Sequence, residues 1–161
     1  MKPILDACCG GKMFWFDKKD CRIISMDIRT NPVEVLSNRS LFEVAPDIVA
    51  DFRAIPFPDC SFSLVLFDPP HLRCGHKSFL FKKYGTLEKN WKDSLSKGFS
   101  ECFRVLKPNG TLIFKWCDSF KKLSEILELT EEKPVITHKT KSNSGKAFTY
   151  FVVFLKGGEE C

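Results

Sequence analysis

Four short apolar runs in this 161-residue chain each carry an aspartate at or near their end. PILDA (3–7) holds Asp6, RIISMD (22–27) ends on Asp27, DIVAD (47–51) on Asp51 and SLVLFD (63–68) on Asp68. Such runs read as strands, and helix-length connections separate several of them; the alternation predicts a parallel sheet in a doubly wound α/β domain. Ligands of such sheets bind outside the carboxyl ends of the strands. The four acids therefore mark the edge where chemistry is expected.

The rest of the chain continues the pattern. Residues 32–42 are expected to form a helix or loop, and Leu87–Leu106 a helix that Gly98 weakens. KPNG (107–110) is a turn and TLIFKW (111–116) a fifth strand. Helical spacing returns in Phe120, Leu123, Ile126, Leu127 and Leu129, with Asp118 or Ser119 as N-cap. PVITHKT and FTYFVVFLK, separated by KSNSGKA (141–147), predict a closing hairpin that adds an antiparallel element. The length suits a single domain spanning 1–161. No apolar run approaches the ~20 residues of a membrane span, and MKPILDACCGG lacks a signal peptide's apolar segment; a cytoplasmic protein with no membrane partner is expected. Eight cysteines without any C-x-x-C pair argue against zinc and for free, mostly buried thiols. No metal is expected.

The chemistry-bearing motifs follow the strand ends. In ILDACCGGKMF an acid precedes a turn with Gly10 and Gly11, and glycine allows the backbone to approach a ligand closely. It is neither G-x-G-x-x-G nor a P-loop. About twenty residues later, Asp27 stands where a carboxylate accepts hydrogen bonds from ribose hydroxyls. Asp51 can bind an adenine amino group, with Phe52 packing beside the ring. Capping and core packing are the alternatives for that pair.

In ILDACCGG, SMD, ADFRAIPFPDCSFSLVLFDPPH and FRVLKPNGTLIF the chain resembles the class I S-adenosylmethionine-dependent methyltransferases. The resemblance implies a Rossmann-like, mostly parallel seven-stranded sheet with an antiparallel terminal strand, and S-adenosyl-L-methionine as cofactor. Its cofactor residues would be Asp6, Ala7, Cys8 and Gly10 in the first turn, Asp27 and Ile28 at the ribose, Asp51 and Phe52 at the adenine, and Asp68. Cys8 and Cys9 take places usually richer in glycine. DPPH (Asp68, Pro69, Pro70, His71) is similar to the D-P-P-aromatic motif of enzymes that methylate exocyclic amino nitrogens. An aryl amino lone pair is delocalised into its ring and is a poor nucleophile. The Asp68 carboxylate and Pro69 carbonyl can accept both N–H groups, and the prolines preset those acceptors. His71 can stack on a base or take up the released proton.

The resemblance thus implies an N-methyltransferase for a nucleobase amino group, adenine favoured, in DNA or RNA. A base must leave its duplex to reach such a pocket. Residues 72–100 hold seven basic side chains against Glu88 and Asp93, an excess as large as the net +5 of the whole chain, with aromatics interleaved. Basic groups neutralise phosphates and aromatic faces stack on bases. This stretch is therefore the expected substrate-facing insertion, with His71, Arg73, His76, Lys82, Lys83 and Tyr84 as contacts and the loop 139–147 as a second element. Two alternatives stand beside this reading: a guanine, protein-amide or small-molecule acceptor, and a non-catalytic subunit.

Overall fold

The computed structural model describes residues 2–35, 41–75, 78–141 and 147–158. Its strands are β1 (Ile4–Asp6), β2 (Ile23–Asp27), β3 (Asn31–Val35), β4 (Leu41–Val44), β5 (Ile48–Val49), β6 (Phe62–Phe67), β7 (Leu106–Cys117), β8 (Ile136–Lys141) and β9 (Phe148–Leu155). Its helices are α1 (Phe79–Tyr84), α2 (Trp91–Val105) and α3 (Leu123–Leu127). Seven strands form one sheet in the order β5-β2-β1-β6-β7-β9-β8. The pairs from β5 to β7 are parallel, and β9 runs antiparallel between β7 and β8. This is the sheet expected from the sequence. Chain order reverses between β1 and β6, where such sheets bind ligands.

Period-two alternation decides which side chains form the core. Pairing puts Val65, Leu112 and Phe154 in one row and Phe67, Phe114 and Val152 in the next, all buried. Helix α2 covers this face with Leu95, Phe99, Cys102 and Phe103. Phe99 stands 4.9 Å from Phe114 and 5.5 Å from Phe67, ring centre to ring centre. Each such buried aromatic contributes about 1.5–3 kcal/mol. Gly98, unfavourable for a helix, is required by this packing. A Cβ there would lie 2.6 Å from Phe67 and 2.8 Å from Phe52.

The other face is covered differently. Residues 7–22 pass from β1 to β2 as successive turns rather than a helix, and their Phe14 packs edge-on against Phe151 at 5.7 Å. Residues 32–42 are not the expected helix or loop either. The described part forms the antiparallel pair β3–β4, because Phe42 and Val44 alternate with exposed neighbours and bury every second side chain. KPNG lies inside β7 as an excursion: Phe62 pairs with Leu106 but Leu64 with Thr111, and Asn109 turns back at φ 60°. The N-cap of α3 is Lys122 rather than Asp118 or Ser119. Asp118 instead accepts from the Phe148 N–H at 2.7 Å, tying the end of β7 to β9.

Cysteines 8, 9, 21, 74, 102 and 117 are free, but only Cys9 and Cys102 are buried. Cys60 is disulfide-bonded, against the expectation of free, mostly buried thiols. Among the described residues no helix is long and apolar enough to cross a membrane.

Candidate active site

A cleft of about 810 Å³ opens at the carboxyl ends of β1, β2, β5 and β6. Its floor is the turn after β1. The Cys9 N–H donates to the Met26 carbonyl at 2.8 Å, and Gly10 then reverses the chain at φ 47°, a conformation that favours glycine. The Gly10 N–H donates to Asp27 Oδ2 at 2.9 Å, fastening the turn to the end of β2. Of the residues expected at the cofactor, Ala7, Cys8, Gly10, Asp27, Ile28, Asp51, Phe52 and Asp68 all line the cleft. Asp6 does not. It is buried behind the turn, accepting from Trp15 Nε1 at 2.7 Å and the Cys8 N–H at 3.4 Å. Burial pushes its carboxyl up to about 7, against the lowering effect of these bonds.

Asp27 and Asp51, the acids expected at the ribose and the adenine, each carry an arginine two residues downstream. Asp27 accepts from Arg29 through its backbone N–H, Nε and Nη2 at 2.9–3.1 Å. Asp51 accepts from the same three groups of Arg53 at 2.6–3.0 Å. Burial alone would raise the Asp51 carboxyl, but the Arg53 bonds outweigh it and hold it below its usual range. Each arginine also reaches the segment over the cleft. Arg29 donates to the Phe81 and Lys82 carbonyls at 3.5 and 3.2 Å, and Arg53 to Glu88 at 2.8 Å. The D-x-R spacing was the sequence signal for this arrangement, and the motif reading passed over it.

Asp68 follows β6 directly at the cleft wall. Its Oδ2 accepts from Lys115 Nζ at 3.0 Å, while its buried Oδ1 has no hydrogen-bond partner among the described residues. Burial raises this carboxyl, and Lys115 and His71 pull it partly back. Lys115 sits on β7, on the face opposite α2, with its ammonium also over the Phe14 ring at 5.2 Å. A lone lysine in the apolar strand TLIFKW was the available clue to it. His71 is buried, edge-on to Trp116 at 5.9 Å and 6.5 Å from Tyr84. Its Nδ1 lies 3.3 Å from the Pro69 carbonyl and 3.8 Å from Asp68 Oδ1. Both neighbours are acceptors, so Nδ1 carries the proton. Burial lowers the His71 pKa, which favours the neutral ring.

Of the expected substrate contacts, His71, Arg73, Lys83 and Tyr84 line the cleft, and the Lys82 side chain does not. The Arg73 guanidinium lies over Phe120 at 5.5 Å and Lys83 over Tyr84 at 5.1 Å. His76 and most of the loop 139–147 lie outside the described residues. Residues 73–75 and 81–89 contribute most of the insertion's share of the wall, whereas 91–105 form α2 and pack chiefly into the core.

No family model matches the sequence. The chain is 28% identical over 137 residues to the malonyl-[acyl-carrier protein] O-methyltransferase of Enterobacter lignolyticus, covering 81% of this chain but only 46% of that protein. It therefore spans about half the length of that relative. Among solved structures, a SAM-dependent methyltransferase from Methanosarcina mazei matches with a TM-score of 0.59 at 14% identity, over 99% of this chain and 95% of that one. The 1,6-didemethyltoxoflavin-N1-methyltransferase of Burkholderia thailandensis, solved with S-adenosylhomocysteine, matches with a TM-score of 0.55 at 13% identity, over 97% and 72%. The fold is the Rossmann-like class I methyltransferase fold.

Proposed function

We propose that this chain is an S-adenosylmethionine-dependent methyltransferase acting on an exocyclic amino nitrogen of a nucleobase, adenine favoured, in DNA or RNA. The observation that carries this reading is the unpartnered, buried Oδ1 of Asp68 at the cleft wall. A buried acceptor without a donor costs about 1–3 kcal/mol. A substrate N–H would supply the donor.

The residues present suit the cofactor. The Gly10 turn, Asp27, Asp51 and Phe52 surround one cavity large enough for a nucleoside. Asp27 would hold the ribose hydroxyls and Asp51 the adenine amino group, with Arg29 and Arg53 yielding part of their present bonds. When bound, S-adenosylmethionine supplies an activated methyl group. The chain's own task is to orient the nucleophile. Asp68 Oδ1 and the Pro69 carbonyl accept the two N–H bonds, which favours a tetrahedral nitrogen with an available lone pair. Pro69 and Pro70 keep these acceptors fixed. A carboxylate raised by burial also accepts the proton that leaves the product nitrogen more readily, and a neutral His71 offers a flat face for stacking.

The named activity of the Enterobacter relative motivates a second reading, in which a carboxylate oxygen is methylated. Asp68 disfavours that acceptor, since an ionised substrate carboxylate brings no N–H to Oδ1 and would meet it oxygen to oxygen. The two are separated by supplying labelled S-adenosylmethionine with DNA, RNA and malonyl thioesters, then analysing nucleosides and esters by mass spectrometry. A labelled N-methyl nucleoside, lost in Asp68→Ala while cofactor binding persists, is the expected result. Label found only in esters overturns the proposal.

A further inference from the structure

The loop between β1 and β2 presents an aromatic side chain that neither the fold nor the cleft uses. Phe16 is fully exposed at 110%, while its neighbours are tied down. Trp15 turns inward to bond Asp6, and the Lys18 ammonium donates to the Gly11 carbonyl at 2.9 Å. Asp17 accepts from the Lys19 N–H at 2.9 Å, and the Asp20 N–H donates to the Asp17 carbonyl at 3.3 Å. Phe16 therefore projects from an anchored loop. Leaving a phenylalanine in water forgoes the stabilisation of burying it.

Its surroundings indicate the partner. Met13 and Phe14 of the same loop line the cleft, so Phe16 stands two residues from the cleft wall. Lys18 and Lys19 are exposed on the loop, and Lys12, Lys18 and Lys19 line a smaller hollow with Lys2, where four ammonium groups outnumber Asp20 and Asp47. The loop's acids are partly engaged, Asp17 in the Lys19 turn and Asp20 with Arg22. Helix α1, whose Phe81 and Lys83 line the cleft, exposes Phe79 and Leu80. A flat ring among lysines beside the cleft matches the chemistry of single-stranded nucleic acid, whose bases stack and whose phosphates pair with ammonium groups.

We infer that the loop 12–19 is a nucleic-acid-binding lip, on which Phe16 stacks against a base next to the one entering the cleft and Lys18 and Lys19 hold the adjoining phosphates. This rests on the nucleic-acid reading above and extends it to a surface outside the cleft. It also bears on a duplex substrate, because a ring stacked beside the vacated position offsets part of the cost of extruding a base.

The test measures binding of a short fluorescent single-stranded oligodeoxynucleotide by anisotropy across a salt series. Phe16→Ala is expected to weaken binding about tenfold, Phe16→Trp to restore it, and S-adenosylhomocysteine affinity to stay unchanged. Lys19→Gln is expected to flatten the dependence on salt by about one charge. Wild-type oligonucleotide affinity in Phe16→Ala overturns the inference. So does a Phe16 requirement seen only with phosphatidylserine vesicles, which would make the loop a membrane contact. Phe16-dependent binding without methyl transfer to any nucleobase leaves the lip standing and removes the proposed reaction. Transfer that is indifferent to Phe16 does the reverse.

Discussion

Lys115 reaches across from β7 to Asp68, Nζ to Oδ2 at 3.0 Å, and so leaves Oδ1 as the oxygen available to a substrate donor. The pair also sets the charge of the clamp. Burial raises the Asp68 pKa, Lys115 and then His71 on the same turn pull it back, and the Asp68 charge in turn raises Asp6 and Cys8 of the facing turn. Lys115→Met should raise the Asp68 pKa further and move the acid limb of kcat to higher pH. Each unit of that movement is a tenfold loss on the limb. Lys115→Arg should restore most of the profile. The measurement is kcat against pH beside cofactor affinity, and an unmoved limb in Lys115→Met contradicts the assignment.

Gly98 joins the core to the cleft. An added methyl would meet Phe67 in the core and Phe52 at the cleft wall, at 2.6 and 2.8 Å. Gly98→Ala should therefore destabilise the fold by about 1–3 kcal/mol despite alanine's better helix propensity. Displacement of Phe52 should also weaken cofactor binding severalfold. Chemical denaturation and calorimetric titration read the two effects separately.

His71 poses a choice between stacking and proton transfer. Its ring packs edge-on to Trp116, and burial lowers its pKa. If the ring serves by stacking, His71→Phe should keep activity within about threefold, whereas His71→Ala should lose about tenfold or more, mainly in KM for the acceptor. Equal losses in both variants, confined to kcat, would assign it the proton instead.

Asp6 gives the fold a pH dependence. Its folded-state pKa of about 7 lies above the ordinary 3.8. In that interval the unfolded chain releases the proton first, so this group's contribution makes stability fall as pH rises from about 4 to about 7. His71 works in the opposite sense below its unfolded pKa, and cancels when two proteins that both contain it are compared. The Tm difference between Asp6→Asn and the parent should widen in favour of the variant through that interval, by several degrees, and level off above it. A difference independent of pH would show that Asp6 does not titrate in this range.

Much of the sheet was legible because its signals are local. Short apolar runs ending in Asp27 and Asp68 need no tertiary information, and neither does the hairpin ending in FTYFVVFLK. The order of motifs also placed the cleft. What escaped depends on packing or on partners distant in sequence. The alternation of Phe42 and Val44 was hidden in a segment read as helix or loop. Lys115 lies 47 residues from its partner Asp68, so nothing in its own strand named that partner. Asp6 looked equivalent to Asp27 and Asp51, but the inward turn of Trp15 put it behind the wall instead of on it.

The position of β9 has a consequence for synthesis on the ribosome. Although it follows the other described strands in sequence, it is inserted between β7 and β8. Until residues 148–155 have emerged, β7 has a parallel neighbour on one side only, and Leu112, Phe114 and Trp116 lie next to an open edge. Such edges invite mispairing with other chains. The sheet thus closes in its interior rather than at its rim. The Lys115–Asp68 pair, which hangs from β7, gains its permanent footing only with the arrival of β9.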